Sequence, residues 1–279
     1  MVQLSLAERP SLEKYEEKIE RILPSGSSGT PRASVVIVSY RTPMDIIRRN
    51  IDSLYDGTTE FIIIDNSPSS KDDMPDDPRM TYVAMKGNAG VCVARNLGAL
   101  LSKAETVIYL DDDAVPGAGF IDAHIDEHKN GSVLAVRGRC LPKTHNLPNR
   151  LAFHYDLGLE RIPSPIDLEG NSSFKRKPLM AVGGFNEQLP LAGGWEGVDV
   201  SYRLVQMSGD RSSVIYSPLP IIYHDYKSNT FQLLSKLLRH RKNLGRMSQG
   251  QTDLGAFLRL YPRERNPVGK LKKFLLAYR

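Results

Sequence analysis

The chain has 279 residues, 41% of them hydrophobic and 25% charged, and a net charge of +5. That supplies a full core, excludes a disordered or fibrous chain, and fits one large domain or two small ones. Two cysteines, Cys92 and Cys140, are too few for a disulfide framework and lack metal-site spacing, no stretch reaches the ~18 apolar residues of a membrane span, and the N-terminus has no signal-peptide core, so a cytoplasmic protein is expected.

Residues 11–23 carry apolar positions at helical spacing (Tyr15, Ile19, Ile22, Leu23), which predicts a short amphipathic helix. The Gly/Ser-rich stretch 24–31 reads as a linker, and the first 30 residues as an appendage. Apolar runs then alternate with helical patterns. Strands are predicted over 34–39, 60–64, 81–85 and 106–110, with helices over 44–54 and 89–101. Runs of this kind are buried on both faces, so the alternation predicts an α/β fold with a mostly parallel central sheet flanked by helices.

Ligands in such sheets bind in the crevice beyond the carboxyl ends of the strands. Tyr40 follows the first strand, Asp65 ends the second, and Asp111, Asp112 and Asp113 end the fourth. Separately, these are a packing residue, a turn former and a solvated acidic turn. Together on one sheet edge they describe a site: an aromatic face for a base, a carboxylate for its N–H, and acids whose repulsion a hard cation relieves. The loop 86–90 opens the helix that carries Arg95, and a helix N-terminus favours phosphate.

Residues 139–180, rich in Pro, His and Arg, read as a long irregular insertion of the lid or substrate-loop kind. His145 and His154 lack metal-like spacing and read as surface or packing residues. Residues 231–247 and 268–279 are basic and amphipathic. They read as a C-terminal helix packed on the sheet. The second reading is peripheral attachment to an anionic membrane through 231–279, at about 1 kcal/mol per basic residue. Few aromatics and no recognised module argue against nucleic acid.

The segments VVIVSY, IIIDNS, GNAGVCVARNLGA and LDDDAVP, followed by EGNSSFKR, VGGFNE, WEGVDVSYRL and a late histidine, occur in that order and spacing. Over residues 33 to 245 the chain resembles the family 2 glycosyltransferases of GT-A fold. The resemblance implies a nucleotide-binding half at 31–116, an acceptor half at 117–224 and a helical extension at 225–279. It implies inverting transfer of a sugar from a UDP-, dTDP- or GDP-sugar to a hydroxyl acceptor, lipid-linked if the tail meets a membrane, with Mn²⁺ or Mg²⁺. The positions it assigns to the nucleotide are Ser39, Tyr40, Asp65, Asn88, Arg95, Asp111 and Asp112. Asp113, Asp111 and His224 fall at the metal. Asn171 and Gly194 fall beside the donor sugar or acceptor, and Trp195, the only Trp, reads either as core or as an acceptor-side platform.

The family's catalytic aspartate, the first of a Glu-Asp-x-Asp segment, becomes Gly197 here. Glu196 and Asp199 are left as the candidate bases, and Asp199 could instead form an i,i+4 ion pair with Arg203. Gly197 also leaves room for a nucleotide-sugar-binding protein with weak or no turnover. A sugar nucleotidyltransferase is disfavoured because SYRTPMD follows the first strand where a glycine-rich phosphate loop would stand.

Overall fold

The computed structural model describes residues 10–26, 29–67, 77–129, 131–146, 149, 156–189, 195–225 and 254–261. The strands are β1 (Ile19–Leu23), β2 (Ala33–Ser39), β3 (Thr59–Asp65), β4 (Met80–Met85), β5 (Thr106–Asp111), β6 (Val115–Pro116), β7 (Ala135–Leu141), β8 (Ile162–Pro163), β9 (Asn171–Lys175) and β10 (Val214–Tyr223). The helices are α1 (Met44–Leu54), α2 (Val91–Leu101), α3 (Phe120–Lys129), α4 (Arg176–Ala181), α5 (Glu196–Ser208) and α6 (Leu254–Arg259). One sheet runs β1-β4-β3-β2-β5-β9-β7-β10-β6, with β8 also on β10.

Strands β4, β3, β2 and β5 are parallel neighbours, as expected from their unbroken apolar runs. Alternate residues of β2 face opposite layers. Val35 and Ile37 join Ile47 and Ile51 of α1 and Phe61 and Ile63 of β3. Val36 faces the other way, into a layer with Leu97 of α2 and Val200 and Leu204 of α5. Each fully buried aliphatic side chain contributes about 1.5–3 kcal/mol relative to exposure. These two layers hold β2, β3 and β5 rigid, and so fix where their carboxyl ends point.

Two expectations fail. Residues 11–23 are not an amphipathic helix: a 3-10 turn, Glu13–Lys18, leads into β1, which lies antiparallel on β4. Tyr15 is fully buried and its hydroxyl donates to Glu187, so this segment is part of the fold rather than an appendage. The unpaired edge of β4 supplies hydrogen bonds that an isolated two-turn helix could not match. The stretch 139–180 is not one irregular insertion, because it contains the end of β7, all of β8 and β9 and most of α4. In the C-terminal segment, residues 254–261 pack inward. Phe257 meets Tyr202 of α5 edge-on at 5.4 Å between ring centroids, and Tyr261 at 5.2 Å. The predicted helices 231–247 and 268–279, with His154, lie outside the described residues. Among the described residues no helix is long and apolar enough to cross a membrane.

β9 is antiparallel between β5 and β7 and carries buried polar side chains into the middle of the sheet. They are matched from α3. The Ser173 hydroxyl lies 2.9 Å from His124 Nδ1 and 2.8 Å from His128 Nε2, and His124 Nε2 lies 3.0 Å from Asn171 Oδ1. Burial, aided by the neighbouring His128, pulls His124 down to about 3; burial pulls His128 down to about 4. Both rings are therefore neutral in the native protein at pH values where the unfolded chain, with histidines near 6.5, takes up protons. Stability is expected to fall as pH drops from about 6.5 towards 4, by up to about 1.4 kcal/mol per pH unit for each histidine. Urea unfolding at pH 7, 6 and 5 measures this, and a flat profile would mean that the rings are already charged in the fold. His224, whose pKa is raised, contributes with the opposite sign and acts above this window.

Candidate active site

The register sets Ser39 opposite Asp65 and Val38 opposite Asp111, so the ends of β2, β3 and β5 converge at one edge. Ser39 is buried, and its carbonyl accepts from the Asn66 amide at 2.8 Å. Tyr40, just beyond, is 46% exposed, with the Arg41 guanidinium 5.2 Å from its ring centroid. Arg41 has φ 62°, a left-handed conformation rare for a non-glycine residue, held by its amide's bond to Ser67 Oγ at 2.7 Å. Asp65 accepts from the Tyr82 hydroxyl at 2.5 Å and the Ser67 amide at 3.0 Å. That bond, after burial, pushes the Tyr82 hydroxyl pKa up.

The three aspartates have three different surroundings. The Asp111 carboxylate rests against Gly170: a Cβ there would stand 1.8 Å from Asp111 Cγ, so only glycine fits. Asp112 ties β5 to β2, accepting from the Tyr40 amide at 3.1 Å and Thr42 Oγ1 at 2.5 Å. Burial raises its pKa, and the neighbouring Asp113 and Asp111 add to the rise against those two hydrogen bonds. Asp113 is 63% exposed, and its Oδ1 lies 3.0 Å from His224 Nε2.

The short pairing of β6 with the end of β10, Tyr223 opposite Val115, brings Asp113 and His224 together. Lys143 donates to the Asp113 carbonyl, and Asp225 fastens the loop after β7 through the amides of Lys143 and Thr144, both at 2.9 Å. Burial works against both charges, yet the pair holds the Asp113 carboxyl below its usual range and the His224 imidazole above its own. Among the described residues no three His, Cys, Asp or Glu side chains are arranged to hold an ion by themselves.

Asn88 shapes the loop before α2. Its Oδ1 accepts from Asn66 Nδ2 and from the Gly90 amide, both at 3.0 Å, and Asn66 Oδ1 accepts from the Ala89 amide at 2.9 Å. Gly90, at φ 92°, makes the turn into the helix. Arg95 is buried below the crevice, 5.4 Å from the Phe185 ring centroid. Burial would lower its pKa, but Glu169, Glu196 and Asp111 outweigh that and raise it.

Asn171 lies on β9, and Trp195, Glu196 and Asp199 lie at the head of α5. Asn171 is fully buried, its amide donating to the Arg139 carbonyl at 2.8 Å and the Pro220 carbonyl at 3.1 Å, so it braces the sheet beneath the site. Asp199 accepts from Arg203 Nε at 3.0 Å and from Nη2 at 2.5 Å, which is the i,i+4 pair the spacing allows. Trp195, with φ 81°, stands half-buried at the head of α5. Gly194 lies outside the described residues. Glu196 opens α5 and is 2% exposed.

Sequence reasoning missed Glu169, whose Oε1 accepts from the Gly197 amide at 2.7 Å. The signal was present: a glycine where an acid belongs invites a search for an acid elsewhere. It also missed Thr42, Asn66, Tyr82 and Lys143, which hold the expected residues in place.

Residues 34–184 match the family model described as glycosyl transferase family 2. The chain is 27% identical over 222 residues to the pre-mycofactocin glycosyltransferase of Mycobacterium tuberculosis, covering 74% of this chain and 45% of that relative, so it spans about half of the relative's length. Its fold is similar to that of the mannosyltransferase PcManGT of Pyrobaculum calidifontis, solved with GDP-Man and Mn²⁺, at a TM-score of 0.58 and 18% identity over 84% of this chain and 69% of that one. It is also similar to GalNAc-T7, solved with UDP, GalNAc and Mn²⁺, at a TM-score of 0.57 and 17% identity over 72% of this chain and 45% of that one. The GT-A architecture is therefore the one the motifs led us to expect, and with more than half of its length matched, the chain belongs to glycosyl transferase family 2.

Proposed function

We propose that this chain moves a sugar from a nucleoside diphosphate-sugar to a hydroxyl acceptor in a single inverting displacement, assisted by a divalent cation. The observation that carries the reading is the convergence of an exposed Tyr40, the Asp65 carboxylate, Asp111 and the Asp113–His224 pair at one strand edge. Tyr40 offers a face for the base, and Asp65, anchored by Tyr82, offers an acceptor for a base N–H.

The donor set at Asp113 and His224 suits a divalent ion: a hard carboxylate oxygen and an imidazole nitrogen 3.0 Å apart, with Asp111 beside them. A cation held by Asp113 and His224 would supply stabilisation of the negative charge on the departing diphosphate. The base and sugar of the donor would be set by pocket contacts around Tyr40 and Asp65. For the acceptor, a hydroxyl, the proton would go to a carboxylate of the group around Arg95, near the head of α5. Gly197 favours a second reading, a protein that binds the donor without turning it over.

The first test is thermal unfolding with UDP, GDP, dTDP and their sugars, with and without Mn²⁺ or Mg²⁺. A ligand at a hundredfold excess over Kd stabilises by about 2.7 kcal/mol. The expected result is a metal-dependent rise with one nucleotide, lost in Asp113→Ala. Metal-dependent binding that persists in Asp113→Ala would remove Asp113 from the metal. Release of the nucleoside diphosphate from the sugar donor separates the enzyme from the binding protein.

A further inference from the structure

We infer that Glu169, rather than Glu196 or Asp199, is the general base of the transfer, reaching from the turn before β9 into the space that a side chain at Gly197 would fill; this rests on the sugar-transfer reading above. A Cβ on Gly197 would lie 3.0 Å from both Glu169 Cγ and Glu169 Oε1. The glycine is thus the vacancy that a glutamate from another segment occupies, and the site keeps a carboxylate at the head of α5. Glu169 Oε1 accepts from the Gly197 amide at 2.7 Å, and Trp195, at the cap position, makes no side-chain cap bond. The anion therefore sits on the positive end of a 13-residue helix. That bond fixes one oxygen. Among the described residues the other, Oε2, takes no hydrogen bond, which leaves a lone pair for a proton.

The rival acids are placed differently. Asp199 is committed to the Arg203 guanidinium through two bonds. Glu196 is 2% exposed against 8% for Glu169, so Glu169 is the more open of the two acids that act on Arg95 from this side. Glu169 is also joined to the donor side. The next residue, Gly170, is the one against which the Asp111 carboxylate rests, and its carbonyl accepts from the Asp111 amide at 3.1 Å. One turn thus sets the proton acceptor beside the strand end that faces the diphosphate.

The acceptor O–H gives its proton to Glu169 Oε2 while its oxygen forms a bond to the anomeric carbon. The bond from that carbon to the diphosphate oxygen breaks, and its electron pair leaves on the nucleoside diphosphate. Glu169, now a carboxylic acid, returns the proton to solvent.

Glu169→Gln tests this in the full chain, because an amide oxygen can still accept from the Gly197 amide but the group no longer takes a proton. Three readouts are needed: unfolding temperature, binding of UDP, GDP and dTDP with Mn²⁺, and release of each diphosphate from its sugar donor with water as acceptor. The expected result is an unchanged unfolding temperature, binding within about twofold of wild type, a loss of kcat of about 10²–10⁴-fold as general bases typically supply, and loss of the acidic limb of the kcat/KM pH profile. Glu196→Gln is run beside it. Wild-type turnover in Glu169→Gln with loss in Glu196→Gln would overturn the assignment in favour of Glu196. Loss of folding or of diphosphate binding together with activity in Glu169→Gln would overturn it in favour of a structural role. A wild type that neither binds nor releases any of the three diphosphates would instead overturn the sugar-transfer reading, and the base assignment with it.

Discussion

Arg203→Ala is expected to destabilise the protein by about 3–5 kcal/mol, the range for removing one partner of a buried ion pair. Asp199 is 1% exposed and would lose its guanidinium partner in the interior. Arg203 also donates to the Val182 carbonyl and, at 2.7 Å, to the Gly184 carbonyl, so the turn after α4 loses two donors at once. A buried acceptor left unmatched costs about 1–3 kcal/mol. Lysine cannot replace this arrangement, because a single ammonium cannot present a planar fork to a carboxylate and two carbonyls. Arg203→Lys should therefore recover little. Urea unfolding of the two variants and of Asp199→Asn measures the effect, and the coupling between positions 199 and 203 follows from the double variant. A cost below about 1 kcal/mol for Arg203→Ala would mean that the pair is not structural and would return Asp199 to the list of candidate bases.

The parallel half of the sheet was legible because β2, β3 and β5 are covered on both sides, and double burial writes an unbroken apolar run into the sequence. Strand ends then located Tyr40, Asp65 and the aspartates without any tertiary information. β9 was illegible for the opposite reason. Asn-Ser-Ser-Phe-Lys reads as a loop, and it lies inside the sheet only because His124 and His128, more than 40 residues away, match its polar side chains. β1 was misread because Tyr15, Ile19, Ile22 and Leu23 fit a helical stripe as well as a strand. The available edge of β4 decided between them, and that edge is a property of the fold.

The site divides in the same way. Side chains that act from where the chain puts them could be read, whereas those defined by a contact could not. Arg95 was expected at the diphosphate, and it lies buried among Glu169, Glu196 and Asp111. Asn171 was expected beside a sugar and braces the sheet. Glu169 stood inside a motif already noticed, but its contact with Gly197 spans 28 residues and leaves no periodicity.

Gly197→Asp, which restores the residue common in the family, is expected to lower both stability and turnover. The new Cβ would stand 2.5 Å from the Ile166 carbonyl oxygen, a backbone atom with little freedom to withdraw. The Ile166 amide donates to Ser201 Oγ at 2.9 Å, and Ser201 donates to the Gly197 carbonyl at 2.7 Å, so α5 itself clasps the segment that would have to move. Overpacking of this kind costs about 1–3 kcal/mol, and each kcal/mol lowers the melting temperature of a domain of this size by about 2–4 °C. The introduced carboxylate would also meet Glu169 at close range, and two acids sharing one site cannot both stay ionised at neutral pH. Turnover should fall by at least about tenfold, since that proton would remove the lone pair a general base needs. Gly197→Ala separates the contributions: it carries the steric cost without the charge, so its melting temperature should fall nearly as far while its pH profile keeps the wild-type shape. A stable Gly197→Asp protein with raised turnover would mean that the 166–169 turn yields, and that this chain departs from its family in sequence but not in the position of its base.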